Sequence, residues 1–436
     1  MAESSIPGIS EIAEINAQIA TTPEALQIPT RHVSLGFQLL YGLTNIVVGF
    51  CNITFFTLIL PAQIKAIDPV NYLNIFALIA GLGAVAAVIT NPLAGAFSDR
   101  TTAKLGRRRP WMIVGTLFLA GSMVLLANAN SILLLGVGTI LLQISINMVL
   151  AALAAVIPDL VPLRQRATIA AFAGMAPLIG GVIGQTIVTQ VTNTQTTYYI
   201  LTGASVLILV VFMLAVREIR LPKGVMPAFR VRDLLAAFWV SPIKYPDFGY
   251  TWLARCLVFL GYTTVVNFTL YFLQDSVHYT RLFPGQSIDQ GVQIFFATST
   301  GVLILSAIIG GILSDKTQRR KVFVVIASLV MTASLLLLAF FPVWPYVLIG
   351  SGVLGLGVGA YLAVDLALAS QVLPTENDRG KDLGIMNTTI FIPQILAPII
   401  AAIALNVFHT YTALFLILSV ATFLAAILIL PIKSVR

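Results

Sequence analysis

Long apolar runs separated by short polar stretches dominate this chain. Breaking it at the polar stretches leaves twelve runs, near 34–61, 72–97, 110–129, 132–157, 168–192, 199–216, 250–273, 290–313, 322–341, 344–372, 383–405 and 409–431. Most exceed the ~20 residues with which a helix crosses the hydrocarbon core of a bilayer. The pattern therefore predicts an all-α polytopic membrane protein with twelve transmembrane helices. Residues 1–33 contain Pro7, Pro23 and Pro29 and no basic segment leading into an apolar core. They read as a flexible tail, not a signal peptide. Residues 217–249 divide the runs six and six. Within them, VRDLLAAFWV (231–240) sets apolar residues on one face and Arg232 and Asp233 on the other, the pattern of a helix lying at a membrane surface. The expected organisation is a tail over 1–33, a six-helix half over 34–216, a central loop over 217–249 and a second six-helix half over 250–436.

Composition narrows the classes further. Hydrophobic residues make up 58% of the chain and charged residues 10%, against roughly 25% charged in a soluble domain. A soluble enzyme, a nucleic-acid-binding domain and a disordered scaffold are excluded. The net charge of +8 would fit a polyanion partner if it were clustered. Assigned to alternate sides of the runs, however, 22 of the 25 Lys and Arg fall on one side, leaving Lys65 and Arg281 on the other and Arg255 inside a run. Cytoplasmic loops carry this excess, so both termini and the central loop are expected in the cytoplasm of a plasma-membrane protein. Cys51 and Cys256 lie in apolar runs and form neither a disulfide framework nor a metal set. His32, His278 and His409 fall at run edges without clustered acids. No cofactor or metal is expected, and the lipid bilayer and a small solute are the expected partners of a monomer.

The two halves repeat each other. AGAFSDRTTAKLGRRRP (94–110) follows the second run and GGILSDKTQRRK (310–321) follows the eighth. Gly95 and Gly311, Asp99 and Asp315, and Pro177 and Pro393 all differ by 216 positions. Such a repeat points to duplicated, pseudo-symmetric halves, the organisation of a rocking transporter with its site between them.

Gly95-Ala-Phe-Ser-Asp99-Arg100, followed by Gly106-Arg107-Arg108-Arg109-Pro110-Trp111, resembles the loop signature of the major facilitator superfamily. The long spacer, the GRRRPW ending and IPDLVP (157–162) look most like the glycoside–pentoside–hexuronide:cation symporters and the sucrose-type transporters. The second copy departs from the signature, with Gln318 in place of its glycine. The resemblance implies the major facilitator fold and a loop that acts as a conformational latch through Gly95, Asp99, Arg100, Gly106, Arg107, Arg108, Gly311, Asp315 and Lys316. Gly95 is expected to allow close helix approach. Asp99 is expected to accept from a helix N-terminus, and Arg100 and the 107–109 cluster to pair with Asp99 and Asp159. Melibiose-type members bind their cation through acids in the second span, and residues 72–97 have none. Proton coupling or facilitated diffusion is therefore expected in place of sodium coupling.

A charge inside a span is a functional candidate by default. Arg255 and Asp365 are expected to form an ion pair or to share a cavity, with Asp365 as the protonatable coupling residue; Asp275, at a run edge, is expected to be solvated. Neutral polar residues within runs are candidates for a solute cavity. Gln38, Asn45, Asn147 and Asn267 lead, with Tyr361 and Gln394 beside them; the others are Tyr41, Asn52, Gln143, Gln185, Tyr262, Thr263, Tyr271, Gln293 and Asn387. Amides, hydroxyls and aromatic faces suit a polyhydroxylated neutral solute, and uptake of a sugar-like solute is the leading expectation. The alternative is efflux of amphipathic compounds, because AGMAPLIGG (173–181) resembles the antiporter signature of drug exporters, with Ala176 in place of a glycine. Gly350-Ser-Gly352-Val-Leu-Gly355 fits GxGxxG literally, but it lies in an apolar run and lacks the strand–turn–helix setting of a dinucleotide site.

Overall fold

The computed structural model describes residues 29–216, 245–317, 319–371 and 379–432, with Glu218, Arg220–Pro222 and Gly224 of the central loop. Most of the expected tail and the whole of the expected surface helix lie outside the described residues. Twelve helices long and apolar enough to span a membrane are present among them. The first half contains α1 (Leu35–Ile67), α2 (Tyr72–Arg100), α3 (Arg109–Ala127), α4 (Ile132–Leu160), α5 (Leu163–Gln190) and α6 (Thr194–Ala215). The second contains α7 (Pro246–Asp275), α8 (Ile288–Thr317), α9 (Arg320–Phe340), α10 (Trp344–Gln371), α11 (Arg379–Phe408) and α12 (Tyr411–Ile429), with one helical turn, Tyr279–Leu282, before α8.

Several helices run past the apolar stretch that announced them. The polar TQTTYY at the start of α6 is helical because the Asn193 side chain accepts from Thr196 N at 3.2 Å, capping the first turn. Ser34, Ser131 and Thr410 cap α1, α4 and α12 in the same way. α1 continues to Ile67 and so carries Lys65 on a helix instead of a loop. Between α1 and α2, Asp68 accepts from Asn71 N at 2.8 Å and from Val70 N at 3.0 Å, and these bonds hold its carboxyl below the ordinary carboxylate range.

Leu78, Leu82, Val85 and Ile89 on α2 and Leu305, Ile308, Ile309 and Ile312 on α8 are exposed. Stripes of this kind need an apolar solvent, which only lipid supplies. Within the bundle, small residues replace hydrophobic drive as the basis of packing. A Cβ on Gly49 of α1 would fall 1.8 Å from Pro177 O of α5, and one on Gly180 would fall 2.2 Å from Ile46 O. Gly181 and Gly184 face Ile53 and Thr54 in the same crossing.

The repeat is visible in the packing itself. A Cβ on Gly138 of α4 would meet Leu126 Cδ2 of α3 at 2.6 Å, and one on Gly350 of α10 would meet Leu338 Cδ2 of α9 at 2.9 Å. Both residues of this contact shift by 212 positions between the halves. The same shift relates the approach of Gly115 to Ser145 O to that of Gly357 to Ala327 O, with the glycine moved to the other helix. The offset is smaller than 216 here because the α8–α9 connection is shorter than the α2–α3 loop.

Candidate functional site

A cavity of about 190 Å³ lies between the halves, walled by α1, α2, α4 and α5 on one side and by α7, α8 and α11 on the other. On α1, Asn52, Ile53 and Phe56 reach it from two widened π-helical turns, Gly49–Ile53 and Phe55–Ile59. Such turns shift the register of the side chains that follow and recur at functional sites. Gln143 of α4 and Gln185 of α5 line the first half's wall, and Tyr262, Thr263 and Asn267 of α7, Thr300 of α8 and Gln394 of α11 line the second. Every polar residue among these is uncharged.

The cavity is closed off at the charge-poor end. Phe76 of α2 meets Phe268 and Tyr271 of α7 edge to face, with ring centres 5.3 and 5.7 Å apart. The Tyr271 hydroxyl donates to Pro61 O at 3.2 Å. One turn beyond, Asp275 gathers four helices. It receives Lys65 Nζ of α1 at 2.7 Å, the Tyr72 hydroxyl of α2 at 2.6 Å and the Tyr411 hydroxyl of α12 at 3.1 Å. Asp275, expected to be solvated, keeps a quarter of its side chain exposed and is otherwise held by donors from α1, α2 and α12. Gln293 of α8 bonds Thr186 and Thr189 of α5, and Asn406 of α11 donates to Asn74 of α2 at 2.5 Å. All of these contacts except that of Tyr411, which lies with Asp275 in the second half, join the halves at the charge-poor end.

At the basic end a second network ties the first half to itself. The Arg108 guanidinium, nearly fully buried, donates to Asp159 Oδ2 at 2.9 Å, Asp99 Oδ1 at 2.5 Å and Ser98 Oγ at 2.9 Å. Arg107 pairs with the other oxygen of Asp159. Glu218, just past α6, accepts from Arg108 N at 2.7 Å. Gly106 has φ +108°, and a Cβ there would lie 2.4 Å from Glu218 Oε2, so this position demands glycine on two counts. Other expectations are corrected. Arg100 turns back to Ala96 O at 2.8 Å, and Arg109 reaches Val216 O. Among the described residues the partner of Asp99 is Arg108, not a helix terminus. Among the described residues a Cβ on Gly95 or Gly311 would meet nothing within 4 Å. Lys316 is exposed, and the side chain of Asp315 lies outside the described residues.

Arg255 Nη2 and Asp365 Oδ2 are 3.0 Å apart in a buried pair between α7 and α10. Tyr361, one turn before Asp365, hydrogen-bonds its carboxyl, and Phe259 lies under the guanidinium at 5.6 Å. Among the described residues Arg255 Nε has no partner. The pair sits seven residues from Tyr262, ~10 Å along the helix toward the basic end, and is not part of the cavity wall.

Of the residues singled out for the cavity, Asn52, Gln143, Gln185, Tyr262, Thr263, Asn267 and Gln394 line it. Tyr41, Tyr271 and Gln293 do not, and the side chain of Asn387 lies outside the described residues. Four of the six leading candidates do not line it either. Asn45 donates to Tyr41 O at 2.9 Å, Asn147 to Gln143 O at 2.9 Å and Gln38 to Val33 O at 3.5 Å, each within its own helix or the turn before it, and Asn147 Oδ1 also accepts from Asn91 of α2 at 3.2 Å. Tyr361 belongs to the ion pair. Thr300, Phe56 and Phe296 went unnoticed because an apolar run conceals which face turns inward.

Three comparisons bear on this arrangement. The chain is 31% identical over 118 residues to a general alpha-glucoside permease of Schizosaccharomyces pombe, a match covering 23% of this chain and 21% of the permease. The fold is similar to the crystal structure of a mutant of the nucleoside transporter NupG, with a TM-score of 0.71 over 91% of this chain and 99% of that one at 12% identity. It is also similar to a bacterial homologue of the human lysosomal transporter Spinster, with a TM-score of 0.66 over 92% and 99% at 16% identity. The profile of the Major Facilitator Superfamily matches residues 43–297 and 251–435, which together take in nearly all of the twelve helices. The chain thus belongs to the Major Facilitator Superfamily, and it is a multi-pass membrane transporter and not an enzyme.

Proposed function

We propose that the protein takes up a small, uncharged, sugar-like solute across the plasma membrane by alternating access, with both termini in the cytoplasm. The observation that carries this reading is the cavity between the halves, whose polar wall is amide and hydroxyl with aromatic rings beside it. An ionic solute would be left there without a counter-charge, and a buried unpaired charge is strongly unfavourable. The loop signature and the partial likeness to a permease for alpha-glucosides support placing the chain beside the glycoside–pentoside–hexuronide:cation branch. In this reading the Arg107 and Arg108 network holds one conformer and loosens in the other. Asp365, paired with Arg255, takes and releases the coupling proton. Export of amphipathic compounds rested on the glycines of AGMAPLIGG, and Gly180 and Gly181 are accounted for by the crossing with α1.

Purified protein in proteoliposomes, given labelled sugars under an imposed pH gradient, tests the reading. Accumulation of at least one sugar, released by a protonophore, is expected. Failure to move any sugar, together with extrusion of a lipophilic dye, overturns it.

A further inference from the structure

We infer that the stretches of α5 and α8 nearer the basic end close on each other when the cavity opens at its charge-poor end, with Ile179 seating against Gly301, Phe172 against Ile308 and Thr168 against Gly311. This rests on the reading of the protein as an alternating-access carrier and goes beyond it by naming a contact of the second conformer.

The register comes from the end that is already joined. Gln293, near the start of α8, bonds Thr186 and Thr189, near the end of α5, at 2.8 and 3.1 Å. The two helices therefore run antiparallel, and a step toward the basic end lowers the residue number on α5 and raises it on α8. Both rise ~1.5 Å per residue, so positions equally far from this contact come level with each other. Ile179 lies seven residues from Thr186, and Gly301 eight from Gln293. Phe172 and Ile308 lie fourteen and fifteen away, and Thr168 and Gly311 eighteen each.

These positions are open in this conformer. Phe172 is 51% exposed, Ile308 50% and Ile179 40%, and Thr168 and Gly301 are exposed as well. Among the described residues a Cβ on Gly301 or Gly311 would meet nothing within 4 Å. The other side of α8 is committed to α10: Ser306 Oγ donates to Leu356 O at 2.6 Å, and Gly355 and Gly359 approach Ser299 O and Leu303 O. In a helix of ~3.6 residues per turn, Gly301 and Ile308 fall on the side away from these residues and adjoin the side of Gln293. On α5, Ile179, Phe172 and Thr168 fall within about 40° of Thr186 by the same geometry.

Continuity with a contact already made favours the opposite helix over lipid as their second neighbour. Lipid covers the exposed stripe of α8 in this conformer, and α5 takes its place as the halves turn about the joined end. The pairs also match in size. Gly301 and Gly311 leave room opposite Ile179 and Thr168, and small residues are where spanning helices approach closely.

The experiment uses the full chain in proteoliposomes, with Asn267→Cys as the reporter on the cavity wall, since Cys51 and Cys256 are buried. A membrane-impermeant maleimide is applied from either side. Gly301→Leu and Gly311→Leu are each expected to lower labelling from the Lys65 side about tenfold, the scale of one overpacked contact. Labelling from the basic side is expected to persist, which shows that each variant is folded. Gly203→Leu replaces an exposed glycine of α6, a helix that lines no part of the cavity, and is expected to change neither rate. In a second chain, with Cys51 and Cys256 replaced by serine, Ile179→Cys together with Gly301→Cys is expected to form a disulfide under a mild oxidant. Unchanged labelling in both leucine variants, or no disulfide between the paired cysteines, assigns these positions to lipid and overturns the inference while leaving the function standing. A reporter labelled from one side alone under every condition overturns both.

Discussion

Asp365 and Arg255 are the two charges that lie deep within the spans, and each is meaningful through the other. Removing two ions from water costs several kcal/mol per ion, and attraction between them returns that only with good geometry. The 3.0 Å contact is such a geometry, and among the described residues Arg255 Nε is left without a partner. Asp365→Asn keeps the size and an acceptor while removing the site of protonation. It is expected to lower pH-driven solute accumulation at least tenfold while exchange of labelled for unlabelled solute continues. Unchanged accumulation would remove Asp365 from the coupling step. The pairing was legible in the sequence because so few charges interrupt the runs. The cavity was less so: Asn45, Asn147 and Asn267 are the same residue type in similar surroundings, and only Asn267 lines it. An asparagine in an apolar helix can satisfy itself on the carbonyl four residues earlier, as Asn45 and Asn147 do, and nothing local in the sequence reveals which will.

At the scale of helices, Asp275 is the knot at the charge-poor end. Lys65 of α1 and Tyr72 of α2 come from one half, Asp275 of α7 and Tyr411 of α12 from the other. Hydrogen bonds to a charged group are each worth about 1.5–3 kcal/mol. An opening of the halves at this end must break those that cross between them. Asp275→Asn is therefore expected to raise the population open at this end about tenfold, the equivalent of ~1.4 kcal/mol. A cysteine placed at Asn267 and labelled from the Lys65 side with a membrane-impermeant maleimide measures it, since Cys51 and Cys256 are both buried. An unchanged labelling rate would show that the aromatic layer of Phe76, Phe268 and Tyr271 alone closes this end. Sequence reading missed the knot because its partners lie 210, 203 and 136 positions from Asp275.

At the scale of the molecule, the repeat has two expressions. Landmarks in the loops and helices recur at 216 positions, and the helix crossings at Gly138 and Gly350 recur at 212. The lopsided Lys and Arg distribution predicts its placement in the bilayer. A reporter enzyme active only outside the cytoplasm is expected to be inactive when fused after Arg436 and active when inserted after Arg281. The reverse pattern would invert the topology and, with it, which end of the cavity faces outward.

The number of spanning helices, the internal repeat, the uneven placement of Lys and Arg, and the choice of Arg255 and Asp365 as an ion pair or neighbours on a shared cavity are written in the sequence alone. Each rests on a property of a run or on rarity: a run long and apolar enough for lipid, a charge too costly to be there by accident. Which amides face the cavity, which glycines carry the α1–α5 crossing and what surrounds Asp275 were decided by tertiary structure. Helices apolar on every side have no face written into them, and the rotation of each is set only when its small residues find the ridges of a neighbour.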